Sequence, residues 1–394
     1  MDFQTIAAII FLAALTLILY LRRKNLDTKQ IIPYFLYFSM YKTRLGLNFM
    51  DSASKRHRKL FIYVGYLGIL VGFLGMIFIS YELIKNIFML FTSPKAMPGV
   101  GLVLPFKAKG VFFVPFFYWI ISIFVIAVVH EFSHGLIARA HNLKVRSSGF
   151  AFLGFVIPII PAAFVEPDEK ELRKRPHKQQ LSIFAAGPLS NIAIAFLFIG
   201  IASLIVSPIA NAVIEPNGVK VVDYVRENGP FPAEISGIKI GETIQEIEGV
   251  QTPYREHLSM VLKSKKPHDI VAVKTDKSSY QIKLAKNPEN ESLAYIGAYL
   301  EQDVKIKDNV KAVYGEFLPD ALIWFYGLLI ILFILNLGIG LFNLVPIGPL
   351  DGGRMMQLVL HRIFDKEKGD KVWNYIGLFF LILILVNVVA GFVR

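Results

Sequence analysis

Long apolar runs separated by short charged intervals dominate this chain. Six stretches reach the roughly 20 mostly apolar residues that a membrane-crossing helix needs: about 4–21, 60–80, 111–134, 181–206, 322–346 and 372–392. The pattern predicts a polytopic α-helical membrane protein with about six transmembrane helices. The first run lacks a basic segment before it and a small-residue cleavage pattern after it, and Arg22, Arg23 and Lys24 follow, so it reads as a retained span and not a signal peptide. Two regions depart from the pattern. Residues 147–165 are apolar, but Gly149, Gly154, Pro158 and Pro161 suit a helix poorly and 19 residues barely span, so a re-entrant β-hairpin is expected there. From Ser207 to Pro319 strand-like alternation takes over, at Val219 to Val225, Ile270 to Lys274 and Tyr280 to Leu284, with a turn at Gly229-Pro230.

Composition supports the membrane class: 54% of residues are hydrophobic and 18% charged, and the mean hydropathy is +0.52. The charges then orient the chain, because loops rich in Lys and Arg stay on the cytoplasmic side. Arg22 to Lys59 carries ten basic residues against two acidic, and Ala138 to Gln180 eight against four. Both are expected to be cytoplasmic. Ser207 to Pro319 carries fourteen basic against sixteen acidic residues, a balance that suits a translocated domain, so this insert and the N-terminus are expected outside. The net charge of +12 is thus mostly a cytoplasmic-face bias. No basic stripe with interleaved aromatics argues for a nucleic-acid partner. With no cysteine in the chain, a metal would have to be held by His, Asp or Glu.

Candidate chemistry sits where the third run ends. His130-Glu131-Phe132-Ser133-His134 follows the apolar stretch Val111 to Val129. On a helix, positions i and i+4 share a face, so His130 and His134 can present ring nitrogens to one Zn²⁺ while Glu131 stands beside it to take a proton from water. Ionisable groups at membrane depth are expensive and are seldom kept without a function. The fifth run leads into Asn343-Leu-Val-Pro-Ile-Gly-Pro-Leu-Asp351-Gly-Gly-Arg354, which reaches a similar depth. Pro346 and Pro349 break the helix there, a geometry tolerated only where the backbone is buried in protein or lines a cavity. Asp351 can complete a His₂Asp site, or it can simply cap a short helix.

These motifs resemble those of the site-2 protease family of intramembrane zinc metalloproteases. That family carries His-Glu-x-x-His on one helix, Gly-Pro-x-x-Asn on the next span and Asn-x-x-Pro-x-x-Pro-Leu-Asp-Gly further on, matched here at 130–134, 187–191 and 343–352. The resemblance runs from about Val111 to the end of the sixth span. It implies His130, His134 and Asp351 as zinc ligands, Glu131 as general base, and Asn191 and Asn343 as residues that orient substrate or stabilise the oxyanion. Asn191 could equally make an interhelical hydrogen bond. The resemblance also implies a re-entrant β element that pairs with substrate, a transmembrane segment of a membrane protein with a single spanning helix. The stretch Gly237 to Gly249 resembles a PDZ domain, with Glu242 and Glu248 where Asp and Asn are usual.

The expected architecture is therefore residues 1–110 as two helices with a basic cytoplasmic loop, 111–206 as the first part of a catalytic membrane core, 207–318 as an inserted extracytoplasmic PDZ-like α+β domain, and 319–394 as the second part of the core. The expected setting is a prokaryotic cell membrane, with the lipid bilayer as the surrounding partner. Two rival classes share these features: a catalytically silent adaptor that uses the PDZ-like domain, and a metal transporter. The intact Glu131 argues against the first and the lack of two related halves against the second. The orientation is open to a direct check. In this cysteine-free chain, Ser278→Cys should react with an impermeant thiol reagent added outside and Ser54→Cys should not; labelling of position 278 only from inside would reverse the orientation.

Overall fold

The computed structural model describes residues 3–32, 36–93, 96–155, 157–225, 231–288 and 290–393, so the Gly229-Pro230 turn lies outside the described residues. The chain divides into two compact units, Met1–Ala202 with Gly327–Arg394, and Ser203–Tyr326. Among the described residues, six helices are long and apolar enough to cross a membrane: Phe3–Leu21, Arg58–Thr92, Phe116–Ala140, the helical run His177–Val213, Phe317–Phe342 and Lys366–Val393.

The first unit opens with α1 (Phe3–Leu21). The segment from Arg22 to Lys59, expected as a basic loop, is instead folded: β1 (Leu26–Ile32) and β2 (Leu36–Thr43) form an antiparallel hairpin, and α2 (Leu47–Arg56) follows. Sequence patterning missed this because the hairpin is completed by distant strands. α3 (Arg58–Thr92) is longer than expected. A short parallel pair, β3 (Leu102–Leu104) and β4 (Val111–Phe113), precedes α4 (Phe116–Ala140). The third span thus begins at Phe116 and not at Val111. Pro115 stands at its N-cap, and proline biases the residue before it toward extended backbone. After α4 come β5 (Val145–Phe155) and β6 (Ile157–Pro167), paired antiparallel, with the residue between them outside the described ones. β2 pairs with β5, which gives a four-stranded sheet in the order β1-β2-β5-β6. Asp168 closes the base of the β5–β6 pair. It caps α5 (Glu169–Leu172) by accepting from the Lys170 and Glu171 amides, and the Arg146 guanidinium hydrogen-bonded to it holds its carboxyl below the usual range. α6 (His177–Ile201) carries Pro188 within it.

The second unit begins with α7 (Ser207–Val213) and the long β7 (Ile214–Tyr224). Then come α8 (Pro232–Ile235), β8 (Thr243–Ile247), β9 (Val250–Gln251), α9 (Arg255–Lys263), β10 (Ile270–Thr275) and β11 (Ser279–Lys283), followed by the small pair β12 (Ala285–Lys286) and β13 (Ala294–Tyr295), by β14 (Ala298–Ile306) and by α10 (Asp308–Tyr314). The main sheet runs β11-β10-β8-β7-β14, with β9 on β8. Val271, Val273 and Thr275 alternate inward along β10 as a half-buried strand requires. Val271 and Val273 meet Val219, Ile244, Ile247 and Leu258 in one core. Glu242 is buried there and accepts hydrogen bonds from the Thr275 hydroxyl (2.8 Å) and the Tyr280 hydroxyl (3.0 Å), which satisfies its carboxylate in place.

The chain continues through α11 (Phe317–Phe342), a helix-free stretch with Pro346 and Pro349, α12 (Asp351–Ile363) and α13 (Lys366–Val393). Within the first unit, α3 supplies a seam of small residues. A Cβ on Gly65 would lie 3.1 Å from Ile137, one on Gly68 3.2 Å from Leu189, one on Gly72 2.8 Å from Met355 and one on Gly75 2.5 Å from Leu344. Small residues let helix backbones approach closely where lipid gives no hydrophobic drive for association. α2 packs on α4 in the same way. Met50, fully buried, fills the space over Gly135, and Asp51 pairs with Arg139 at 3.0 Å.

Two outcomes follow from this packing. Ser54 is buried and its hydroxyl bonds the Asp51 carbonyl, so a cysteine there would be silent from either side, and exposed Lys55 is the informative inner position for labelling. In the sheet, a Cβ on Gly149 would stand 2.0 Å from the Tyr41 carbonyl oxygen on the neighbouring strand. Gly149→Val should therefore force β2 and β5 apart and cost roughly 1–3 kcal/mol, read as a lowered thermal midpoint of the purified protein. Gly200→Ala, with nothing within 4 Å, should leave the midpoint unchanged.

Candidate metal centre

The centre is built by α4 and by the broken segment before α12. The α4 helix places His130 and His134 one turn apart on one face, with their Nε2 atoms 3.1 Å apart. The Asp351 carboxylate oxygen Oδ2 lies 3.0 Å from His130 Nε2 and 3.3 Å from His134 Nε2. These three residues form a group whose ligating atoms all lie within 4.8 Å of one another. Atoms about 2.0–2.1 Å from a tetrahedral Zn²⁺ stand about 3.3 Å apart. The observed spacings match such a donor set, three protein ligands with a fourth position left over.

Asp351 arrives there because the backbone turns sharply. α11 ends at Phe342, Gly352 N–H donates to the Asn343 carbonyl at 2.8 Å, and α12 starts at Asp351. A Cβ on Gly352 would sit 2.1 Å from the Leu344 carbonyl oxygen and one on Gly353 2.0 Å from that of Ile347, so only glycine lets this first turn fold back on the Pro346-Pro349 stretch. Trp373 on α13 donates from Nε1 to the Gly353 carbonyl at 2.9 Å and holds the turn in place. Asp351 is not the cap of this helix. Leu350 occupies that position, and the carboxylate faces the imidazoles.

Around the centre, His134 Nδ1 lies 2.6 Å from the Ile183 carbonyl on α6. A carbonyl only accepts, so Nδ1 carries the proton and Nε2 is the nitrogen left to ligate a metal. His130 is 8% exposed, and its Nδ1 faces the Asn191 side-chain amide at 3.2 Å. Gly187 supplies the remaining wall. A Cβ there would come within 2.5 Å of His134 Nε2 and 2.6 Å of His130 Nε2, so a side chain would fill the space in which the nitrogens converge. Glu131 points to the sheet, where its Oε2 accepts the Val165 N–H of β6 at 3.0 Å. Asn343 is placed differently: its amide donates to the Ile339 carbonyl of its own helix at 3.0 Å. The structure therefore brings together His130, His134 and Asp351, sets Asn191 against His130 and Glu131 against β6, and leaves the Asn343 side chain on α11.

Three participants were not legible as such. Gly187 stood in a motif, but its close approach to both imidazoles is a tertiary fact. The Ile183 carbonyl and the Val165 N–H are backbone groups, which no residue type advertises.

The chain belongs to peptidase family M50, the site-2 protease family of metalloproteases, whose description matches residues 118–384. It is 27% identical over 366 residues to an uncharacterized protein of Methanocaldococcus jannaschii, covering 89% of this chain and 85% of that one. It is 25% identical over 267 residues to the regulator of sigma-W protease RasP of Bacillus subtilis, covering 57% of this chain and 61% of that protein, so less than two thirds of RasP is spanned. Among solved structures, the PDZ domain of an SdrC-like protein from Listeria monocytogenes is 24% identical over 21% of this chain and 87% of that domain, with a TM-score of 0.18. With its six apolar helices, this member of the family is an integral membrane protein.

Gly187→Ala should lower the zinc affinity of the purified protein by at least about tenfold, since disturbing the shell around metal ligands typically costs 10–100-fold. Competition with a chromophoric chelator reads this directly, with His130→Ala plus His134→Ala as the zinc-free reference.

Proposed function

We propose that this protein is a zinc-dependent intramembrane endopeptidase that hydrolyses peptide bonds in the transmembrane segment of a membrane protein with a single spanning helix. The observation that carries the reading is the convergence of His130, His134 and Asp351 beside Glu131, on a helix long and apolar enough to cross a bilayer. Membership of a metalloprotease family supports it, as does a relative whose own name is that of a protease. His130 and His134 through Nε2 and Asp351 through its carboxylate would hold Zn²⁺, which when bound supplies a Lewis acid that polarises a carbonyl and acidifies water.

The chain's own residues account for the rest of the reaction. Water oxygen adds to the carbonyl carbon of the scissile bond, the C–N bond breaks, and the water proton must reach the departing nitrogen. In this reading Glu131 carries it. Its carboxylate is fixed through one oxygen by the Val165 N–H, and the second oxygen is the one that takes and returns the proton. The same bond points to how the substrate is presented. β6 pairs with β5 on one side only, and the Val165 N–H that reaches Glu131 belongs to its other edge. Strand alternation puts the Ala163 backbone on that edge as well. A substrate helix must unwind before its peptide bond can be cut, and adding a strand at this edge would satisfy the backbone groups it frees. In this reading the hairpin is re-entrant and Asn343 orients substrate. The 207–318 insert is a PDZ-like extracytoplasmic domain that screens substrates, and cleavage near the cytoplasmic side releases a fragment inward.

Glu131→Gln keeps the shape of the side chain and removes the base. Cleavage of a single-span reporter by the purified protein should fall by roughly 10²- to 10⁴-fold while zinc content and thermal midpoint hold. Activity within about tenfold of wild type would remove Glu131 from the role of base.

A further inference from the structure

We infer that Asn191 is a positioning residue: its side-chain amide selects the tautomer of His130 that can bind a metal, and does so by turning its oxygen toward His130 Nδ1. The inference rests on the zinc reading above and changes the role that the family resemblance implies for this residue. Asn191 is fully buried on α6. Gly340 of α11 closes over it, since a Cβ on that glycine would lie 3.1 Å from Asn191 Cβ. Its amide meets His130 at Nδ1, the ring nitrogen that does not face His134 and Asp351. A residue enclosed in this way is poorly placed to reach a substrate carbonyl and well placed to hold a ring.

Hydrogen-bond arithmetic then decides which way the amide must point. His130 Nε2 can ligate a metal only as a lone pair, so in the neutral ring the proton sits on Nδ1. That proton needs an acceptor. The Asn191 nitrogen, which stands 3.2 Å from Nδ1, cannot accept, whereas its oxygen is buried with no hydrogen-bond partner among the described residues. The oxygen and nitrogen of an asparagine amide have nearly the same shape, and their assignment follows the hydrogen-bond network. Inversion exchanges one unpartnered atom for the other, so the bond to His130 is the deciding term. With the oxygen inward, Asn191 accepts the Nδ1 proton and leaves Nε2 free for a metal. With the nitrogen inward, it stabilises the opposite tautomer, which cannot ligate through Nε2. Asparagine turned oxygen-inward thus favours the metal-competent ring, and aspartate, which can only accept, would favour it at least as strongly, as carboxylates behind metal-binding histidines do.

Substitution separates this role from a substrate contact. Zinc affinity of the purified full-length protein is measured by chelator competition for wild type, Asn191→Leu, Asn191→Ala, Asn191→Asp and His130→Ala, with reporter cleavage at saturating zinc alongside. The Leu and Ala variants, which lack an acceptor, should bind zinc about 10–100-fold more weakly. The Asp variant should bind it as tightly as wild type or more so. If Leu fails to yield folded protein, the contrast between Ala and Asp carries the test. Wild-type zinc affinity in Leu and Ala, with His130→Ala weakened, would overturn the positioning role alone. Loss of cleavage in those variants with zinc affinity intact would likewise overturn it, in favour of a contact to substrate. Unchanged affinity in His130→Ala would overturn the metal site itself.

Discussion

Two imidazoles and a carboxylate held with their ligating atoms within 4.8 Å of one another, among helices apolar enough to cross a bilayer, are the costly arrangement on which the rest of this molecule depends. Burying polar and ionisable groups away from water is unfavourable unless each finds a partner. The structure meets that demand group by group. His134 Nδ1 has the Ile183 carbonyl and Glu131 has the Val165 N–H, while the Asp351 carboxylate and the two ring nitrogens facing it converge as a donor set that a cation would satisfy. Each partner comes from a different element, so α4, α6, β6 and the start of α12 must all be placed to within a few tenths of an ångström.

Close approach of backbones makes this placement possible. The glycine seam on α3 admits Ile137, Leu189, Met355 and Leu344 from four neighbouring segments. Gly187 leaves space for the converging nitrogens, and Gly352 with Gly353 lets the chain fold back so that a carboxylate can reach the α4 helix from the far side of two prolines. Dispersion and steric fit carry the association of these helices, because the surrounding lipid would be as apolar as their side chains.

The four-stranded sheet ties the remaining parts to the centre. β6 touches Glu131, β5 holds β6, and β2 holds β5, so the N-terminal hairpin bears on the metal centre through two strand pairings. α2 reaches the same helix directly, through Met50 over Gly135 and Asp51 on Arg139. The segment 22–59 therefore acts as a clamp between the sheet and α4. Its basic residues, which carried the charge argument for orientation, lie on a folded element.

Hydrophobic run length alone was enough to read the six helices, because a span of about 20 apolar residues has few other uses. Residue type and spacing were enough to read His130, Glu131 and His134, since i and i+4 share a helix face whatever surrounds them. The break at Pro346 and Pro349 and the departure from helix at 147–165 were legible for the same reason: proline and glycine act on the local backbone. What the sequence could not decide were the matters set by distant partners. Asp351 by residue type is a cap or a ligand, and the turn at Gly352 is what brings its carboxylate to the imidazoles. The β1–β2 hairpin had no signature of its own because β5, more than a hundred residues away, completes it. The Ile183 carbonyl and the Val165 N–H are main-chain groups present at every position. Asn191 is the sharpest case: its residue type allows an oxyanion contact, a helix–helix bond or a hold on His130, and its enclosure against α4 and α11, 3.2 Å from one ring nitrogen, is a tertiary fact that no residue type announces. Local chemistry determined which groups could react, and long-range packing decided which of them meet.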